Sequence, residues 1–209
     1  MSLQAAEQPA ANDKLADAKQ QAWRSLQDGR PDAALKALEG VPQDEPTGFA
    51  PTYRGLAYFQ QGKLDEAAQA LREAHAAFPG LYVPQLYLGD TLFRQKKWAE
   101  ARTVYQETLK QTNVLILNER LRYGILLTYL GAKDDAGAKA ALDRIVFPTE
   151  SPAYYYAQAA WGFAHDNRSA GEKWIATAAR VFDQDKTAWF AHFLFDLGWI
   201  KTQPPPTVD

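Results

Sequence analysis

No cysteine occurs among the 209 residues of this chain, and methionine occurs once. Disulfide frameworks, thiolate nucleophiles and cysteine-based metal sites are therefore excluded. No apolar run approaches the roughly 18 residues that a membrane-crossing helix requires, so membrane insertion is not expected. An excess of charge of one sign is also lacking: 25 acidic and 23 basic side chains leave a net charge of −2. Without a Lys/Arg stripe beside its aromatic residues, the chain carries no electrostatic footprint for nucleic acid. The three histidines, His75, His165 and His192, stand 90 and 27 residues apart, so no two of them share one helical face as a metal-ligand pair. Glycine-rich phosphate loops and nucleophile elbows are missing. These absences argue against an enzyme and against a bound cofactor or metal. Sustained period-2 alternation is missing as well, and the fold is expected to be all-α.

What the chain does contain is periodicity. Ala67, Ala101, Ala136 and Ala170 recur at separations of 34, 35 and 34 residues. Gly55, Gly89 and Gly124 stand twelve residues before the first three, and Leu71, Tyr105, Ala140 and Trp174 stand four residues after the alanines. Pro79 and Pro148 follow Ala67 and Ala136 by twelve. Small residues at constant spacing mark places where helices approach closely, and the large ones fill the gaps between them. One pair of helices cannot bury its apolar face alone, so neighbouring pairs must stack. Interruptions of the 3.6 period by turn formers place helices near 13–28, 31–40, 50–61, 64–78, 82–96, 98–111, 115–131, 134–145, 152–165, 169–182 and 185–201. Asp65-Glu66 and Asp134-Asp135 open second helices, where acidic side chains favour the positive end of the dipole rather than acid–base work.

With Arg54-Gly55-Leu56-Ala57-Tyr58, then Ala67, Leu71, Ala74 and Pro79, the chain resembles the tetratricopeptide repeat, a 34-residue helix–turn–helix. The next unit repeats the pattern with Leu88-Gly89, Leu92, Trp98, Ala101 and Tyr105. Gly29-Arg30-Pro31-Asp32-Ala33-Ala34 echoes Gly62-Lys63-Leu64-Asp65-Glu66-Ala67-Ala68 and suggests a blurred first unit. The resemblance spans roughly residues 14–182. It implies a right-handed superhelix, an α-solenoid of stacked antiparallel helix pairs with about five units and a C-terminal capping helix. Residues 13–201 would form a single domain between a flexible segment 1–12 and a Pro-rich tail 202–209.

The same resemblance implies a function class, a non-catalytic scaffold that binds a protein or peptide segment in a concave groove lined by first helices. Carried over by register, the groove would hold Phe49, Tyr53, Tyr87, Asp90, Arg94, Arg122, Tyr129, Tyr155, Tyr156 and Phe163. Tyr53, Tyr87 and Tyr156 would occupy one repeat position, with Arg122 in their place in the third unit. The positions of a chaperone carboxylate clamp hold Thr52, Leu56, Tyr87, Asn118 and Arg122; only the arginine fits that variant. Residues 185–200 are aromatic on more than one face. Either this last helix lies deep in the superhelix, or Trp189, Phe195 and Trp199 support a homodimer or the docking of a structural subunit into a bacterial envelope or secretion assembly. The N-terminal segment has neither basic start nor apolar core. Periplasm, after removal of a signal peptide, and cytoplasm both fit.

Overall fold

Five turns of one construction set the register of the chain. Gly29, Gly62, Lys96, Lys133 and Asp166 each adopt a left-handed backbone, with φ between 56° and 73°. In each turn the following N–H donates to a carbonyl five residues back: Arg30 to Ser25, Lys63 to Tyr58, Lys97 to Leu92, Asp134 to Tyr129 and Asn167 to Gly162, at 2.8–3.0 Å. This closing bond caps the last carbonyls of the preceding helix and redirects the chain into the next. Glycine takes the left-handed conformation freely, whereas the two lysines and the aspartate hold it at a cost of about 1–2 kcal/mol each.

The computed structural model describes residues 4–205, with side chains from residue 13 onward; residues 1–3 and 206–209, the ends of the two expected flexible segments, lie outside them. Eleven helices follow one another among the described residues: α1 (Gln4–Gln27), α2 (Pro31–Ala37), α3 (Phe49–Gln60), α4 (Leu64–Ala77), α5 (Tyr82–Arg94), α6 (Trp98–Gln111), α7 (Leu115–Gly131), α8 (Asp135–Leu142), α9 (Ala153–Ala164), α10 (Arg168–Val181) and α11 (Gln184–Asp196). The fold is all-α, with helix pairs stacked in the manner of an α-solenoid. Each expected helix is present, but α1 begins at Gln4 rather than 13, and α2 stops at Ala37, α8 at Leu142 and α11 at Asp196, short of the expected 40, 145 and 201.

The left-handed residues are separated by 33, 34, 37 and 33 positions. Five residues beyond them stand Ala34, Ala67, Ala101, Ala138 and Gly171, all buried. The alanine frame expected from sequence is therefore correct for Ala67 and Ala101 and two residues early for Ala136, which is exposed. In the fourth unit the small buried residue is Gly171, not the half-exposed Ala170. The physical reason is that α7 runs for 17 residues, against 12 and 13 for α3 and α5. That moves its turn from the expected Gly131-Ala132 to Lys133. Nine residues beyond the first four turns, Leu38, Leu71, Tyr105 and Leu142 are buried, whereas Ile175, nine beyond the fifth, is half-buried. Ala140 is exposed and is not the gap-filler of its unit, whereas Trp174 packs edge-on against Tyr154 and Tyr155 of α9 at 5.8 and 6.2 Å.

The chain divides into two compact units, one running from α1 into α5 as far as Tyr87, the other from Leu88 onward. In the first, α1 packs on α2 and α3, α2 on α3, and α3 on α4. Its core gathers Ala22, Leu26, Leu38, Leu56 and Leu71. The buried Glu45 carboxylate accepts from the Thr47 and Ala50 backbone N–H groups and from the Thr47 hydroxyl at 2.8–3.1 Å, tying down the start of α3. In the second unit α7 packs on α6, α8 and α9, while α9 packs on α10. A Cβ on Gly162 would meet the Gly171 backbone nitrogen at 3.0 Å, which is why α9 and α10 can close so tightly only with glycine on both. The last helix, α11, lies against α9 and α10.

Candidate functional site

The first helices of the N-terminal unit carry an open aromatic surface. Tyr53 of α3 stacks on Trp23 of α1 with ring centroids 5.6 Å apart and an interplanar angle of 30°. Phe49 lies behind it at 5.5 Å, and the Lys19 ammonium stands 5.6 Å from the Phe49 centroid. Trp23 and Tyr53 are half-buried, and together with Asp17, Lys19 and Gln20 they line a surface cavity of about 520 Å³. Burial, and then the Glu45 carboxylate, raise the pKa of the Tyr53 phenol. Phe49 itself is buried, and so is Tyr87, which meets Phe59 edge-on at 5.8 Å. Of the expected groove residues in this unit, Tyr53 is the one that reaches solvent, and its partner Trp23 was not foreseen. Trp23 falls in the blurred first unit, where no small-residue signal pointed to it.

In the C-terminal unit the corresponding surface is covered by the chain's own last helix. The buried Asp90 carboxylate of α5 accepts from the Tyr105 hydroxyl at 2.7 Å and from Trp189 Nε1 of α11 at 3.2 Å. Phe93 meets Phe193 edge-on at 4.9 Å, and Arg94 lies 3.8 Å from Asp196. On α7, the Arg120 guanidinium sits 4.0 Å over the Trp189 ring, and the Tyr123 hydroxyl donates to the Phe190 carbonyl at 3.1 Å. Tyr156 of α9 packs on Phe190 at 5.7 Å, and Phe163 stacks with Trp199 at 6.2 Å. Asp90, Arg94, Tyr156 and Phe163 are thus brought together, but around α11. Tyr123, fully buried, is the residue that sequence reasoning missed; it is ten positions before its turn, as Tyr156 is, so these two share a column. Tyr53 and Tyr87 form another, nine positions before theirs.

The remaining expected groove residues face elsewhere. Arg122 and Tyr129 line a cleft formed with α6 and α8. Tyr155 packs against Trp174 and Phe182 at about 6 Å, on the α10 side. A helix of 3.6 residues per turn explains the error: Arg122 is one residue from Tyr123 and so points about 100° away. The expected oligomer contact is likewise corrected at its centre. Trp189 is 6 % exposed and held by Asp90, Arg120 and Phe193, whereas Phe195 and Trp199 remain half-buried at the edge.

Burial and the neighbouring Asp90 carboxylate push the Tyr105 phenol well up, and burial does the same for Tyr123. Burial raises the Asp196 carboxyl, opposed by Arg94 and then His192. Several other polar residues have structural partners. Asp134 caps α8 by accepting from Gly137 N–H at 2.9 Å, and Asn167 caps α10 by accepting from Ala170 N–H at 3.1 Å. The His165 ring stacks on Trp161 at 4.0 Å, with Nδ1 2.8 Å from the Trp161 carbonyl. His75 Nε2 lies 2.8 Å from Gln85 Nε2. Among the described residues no cluster of three or more His, Asp or Glu side chains is placed to hold a metal ion. No described helix is long and apolar enough to cross a membrane.

Residues 58–114 match the sequence model of the tetratricopeptide repeat family. Comparison with curated proteins gives no match. Among solved structures, a tetratricopeptide repeat protein from Parabacteroides merdae ATCC 43184 superimposes with a TM-score of 0.60 at 16% identity, over 90% of this chain and 75% of that one. That likeness is one of fold. Tetratricopeptide folds typically serve as non-catalytic mediators of protein–protein interaction. Five turns of one construction, a buried small residue at a fixed distance beyond each and these two matches make the chain similar to tetratricopeptide repeat proteins, in sequence over residues 58–114 and in fold over most of its length.

Proposed function

We propose that this protein is a non-catalytic interaction scaffold that binds a segment of a partner protein on the first-helix surface of its N-terminal unit. The observation that carries this reading is the open Trp23–Tyr53 stack backed by Phe49. Rings that are already stacked lose little side-chain freedom when a partner covers them, and Trp and Tyr dominate binding energies for that reason. Asp17 and Lys19 at the rim supply one charge of each sign to orient the segment. The corresponding surface of the C-terminal unit is taken up by α11, so a partner has no comparable groove there. A subunit role through α11 would have to rely on Phe195 and Trp199 without Trp189, which leaves a small apolar anchor.

Affinity capture from a lysate of the native host, comparing the wild type with Trp23→Ala/Tyr53→Ala at matched helicity, tests the reading. A captured protein should disappear with the double variant. Placing a photo-crosslinking residue at Gln20 should then link the scaffold to that same protein. Capture that survives the double substitution unchanged overturns the assignment of this surface.

A further inference from the structure

The outward cleft of the C-terminal unit begins with a short helix. The second helices α4, α6 and α10 each run for 14 residues, whereas α8 ends after 8. At 1.5 Å per residue, about 9 Å of helical wall is missing beside α6. The chain continues instead as an irregular segment carrying Val146 and Phe147, which are 65% and 63% exposed. Between α6, α7 and α8 this leaves a cleft of about 680 Å³, walled by Leu109, Ile125, Tyr129 and Ala141 and bordered by Val146. A smaller cavity of about 350 Å³ adjoins it, with Leu115 on its wall and Arg122 and Arg144 shared between the two.

The charge of the larger cleft has one sign. Lys110, Arg122 and Arg144 line it, and no carboxylate does. Among the described residues none of the three has an ion pair or side-chain hydrogen bond. A fourth cation, Arg102, holds its guanidinium 3.9 Å over the Tyr129 ring, with Nη1 buried and lacking a hydrogen-bond partner. Neighbouring acids are otherwise occupied or peripheral, Asp134 among them, whose carboxylate caps α8 by accepting from Gly137 N–H. Glu119 accepts from the Thr149 and Ser151 hydroxyls, Asp143 pairs with Lys139, and Glu150 lies on the smaller cavity. An apolar floor with unpaired cations at its rim, continued by exposed Val114, Leu115 and Ile116, extends beyond what a small molecule covers and is typical of a protein docking site.

From this complementarity we infer that the α6–α8 cleft docks an acidic amphipathic segment of a partner protein. Its apolar side chains enter between Ile125 and Tyr129 while its carboxylates face Arg122, Arg144 and Lys110. This second surface is independent of the Trp23–Tyr53 stack.

The test is fluorescence anisotropy with two labelled amphipathic helical peptides of identical leucine face, one with glutamate and one with lysine on the other side. Both are titrated into the full chain and into Arg122→Glu/Arg144→Glu, with circular dichroism and melting temperature matched. The glutamate peptide should bind the wild type and bind the charge-reversed variant roughly tenfold or more weakly, with the lysine peptide preferring the variant. The glutamate peptide should bind Trp23→Ala/Tyr53→Ala as it binds the wild type, which separates this inference from the proposed function. The inference is overturned by equal binding of the two peptides, by equal binding to both proteins, or by no binding at millimolar peptide. It is also overturned by a sedimenting dimer that Val146→Asp dissociates, which would make a second copy the occupant.

Discussion

Asp90 holds the interior of the C-terminal unit together from a single carboxylate. Its two oxygens take the Tyr105 hydroxyl and the Trp189 indole, so one side chain of α5 ties the gap-filling ring of α6 to the last helix. Burial lifts the Tyr105 phenol above its ordinary value of 10.0, and Asp90 adds to the lift because a phenolate beside a carboxylate is unfavourable. A tyrosine whose folded pKa is raised binds its proton more tightly in the folded state. Its stabilising contribution is complete below pH 10 and is lost as pH rises from there toward the folded value. Tyr105→Phe keeps the ring and removes the hydroxyl. Urea unfolding at pH 7 should show a loss of about 2 kcal/mol, as for a hydrogen bond to a charged acceptor. Above pH 10 the stability of the variant should fall less steeply than that of the wild type.

At the scale of the helix, the left-handed turn residue decides where small residues must stand. Ala138 and Ala136 lie on one short helix two residues apart, and only Ala138 is buried. Ala138→Leu should therefore overpack α8 against its neighbours and cost about 1–3 kcal/mol. Ala136→Leu, on the exposed face, should stay within about 0.5 kcal/mol. Thermal melts of the pair check the register directly, because the alanine periodicity read from sequence alone predicts the opposite order. The close approach of α9 and α10 at Gly162 and Gly171 has the same origin: each glycine faces the neighbouring helix where any Cβ would displace backbone or the Phe163 ring.

For the molecule as a whole, α11 converts a first-helix surface into interior. Trp189, Phe190, Phe193 and Leu194 are each at most 6% exposed, so this helix is core rather than a lid. Trp189→Ala should cost about 3–5 kcal/mol, as for a large ring removed from a packed site. Hydrogen exchange should show protection falling in α7, α9 and α11 together. A variant that melts with the wild type would mean that Trp189 is not held between Asp90 and Arg120.

Sequence alone determined the helices, their number and the resemblance to a repeat family, because those follow from local signals: period 3.6, turn formers at Gly29 and Gly62, and small residues where backbones meet. It located the alanines of the first two clear units for the same reason. It could not see that α7 is longer, since Gly131 reads as a turn while the chain turns at Lys133, a residue with no left-handed preference. The register was displaced around that turn: Ala136 was placed where Ala138 lies and Arg122 where Tyr123 lies, while Tyr156 and Phe163 kept their expected face. Only the tertiary structure decided what covers each surface. The residues of α11 are apolar whether they bury in cis or dock on a partner, and only packing distinguishes the two. The Trp23–Tyr53 stack and the cleft beside the short α8 were hidden for the same reason: each joins residues of different helices, which sequence periodicity does not relate.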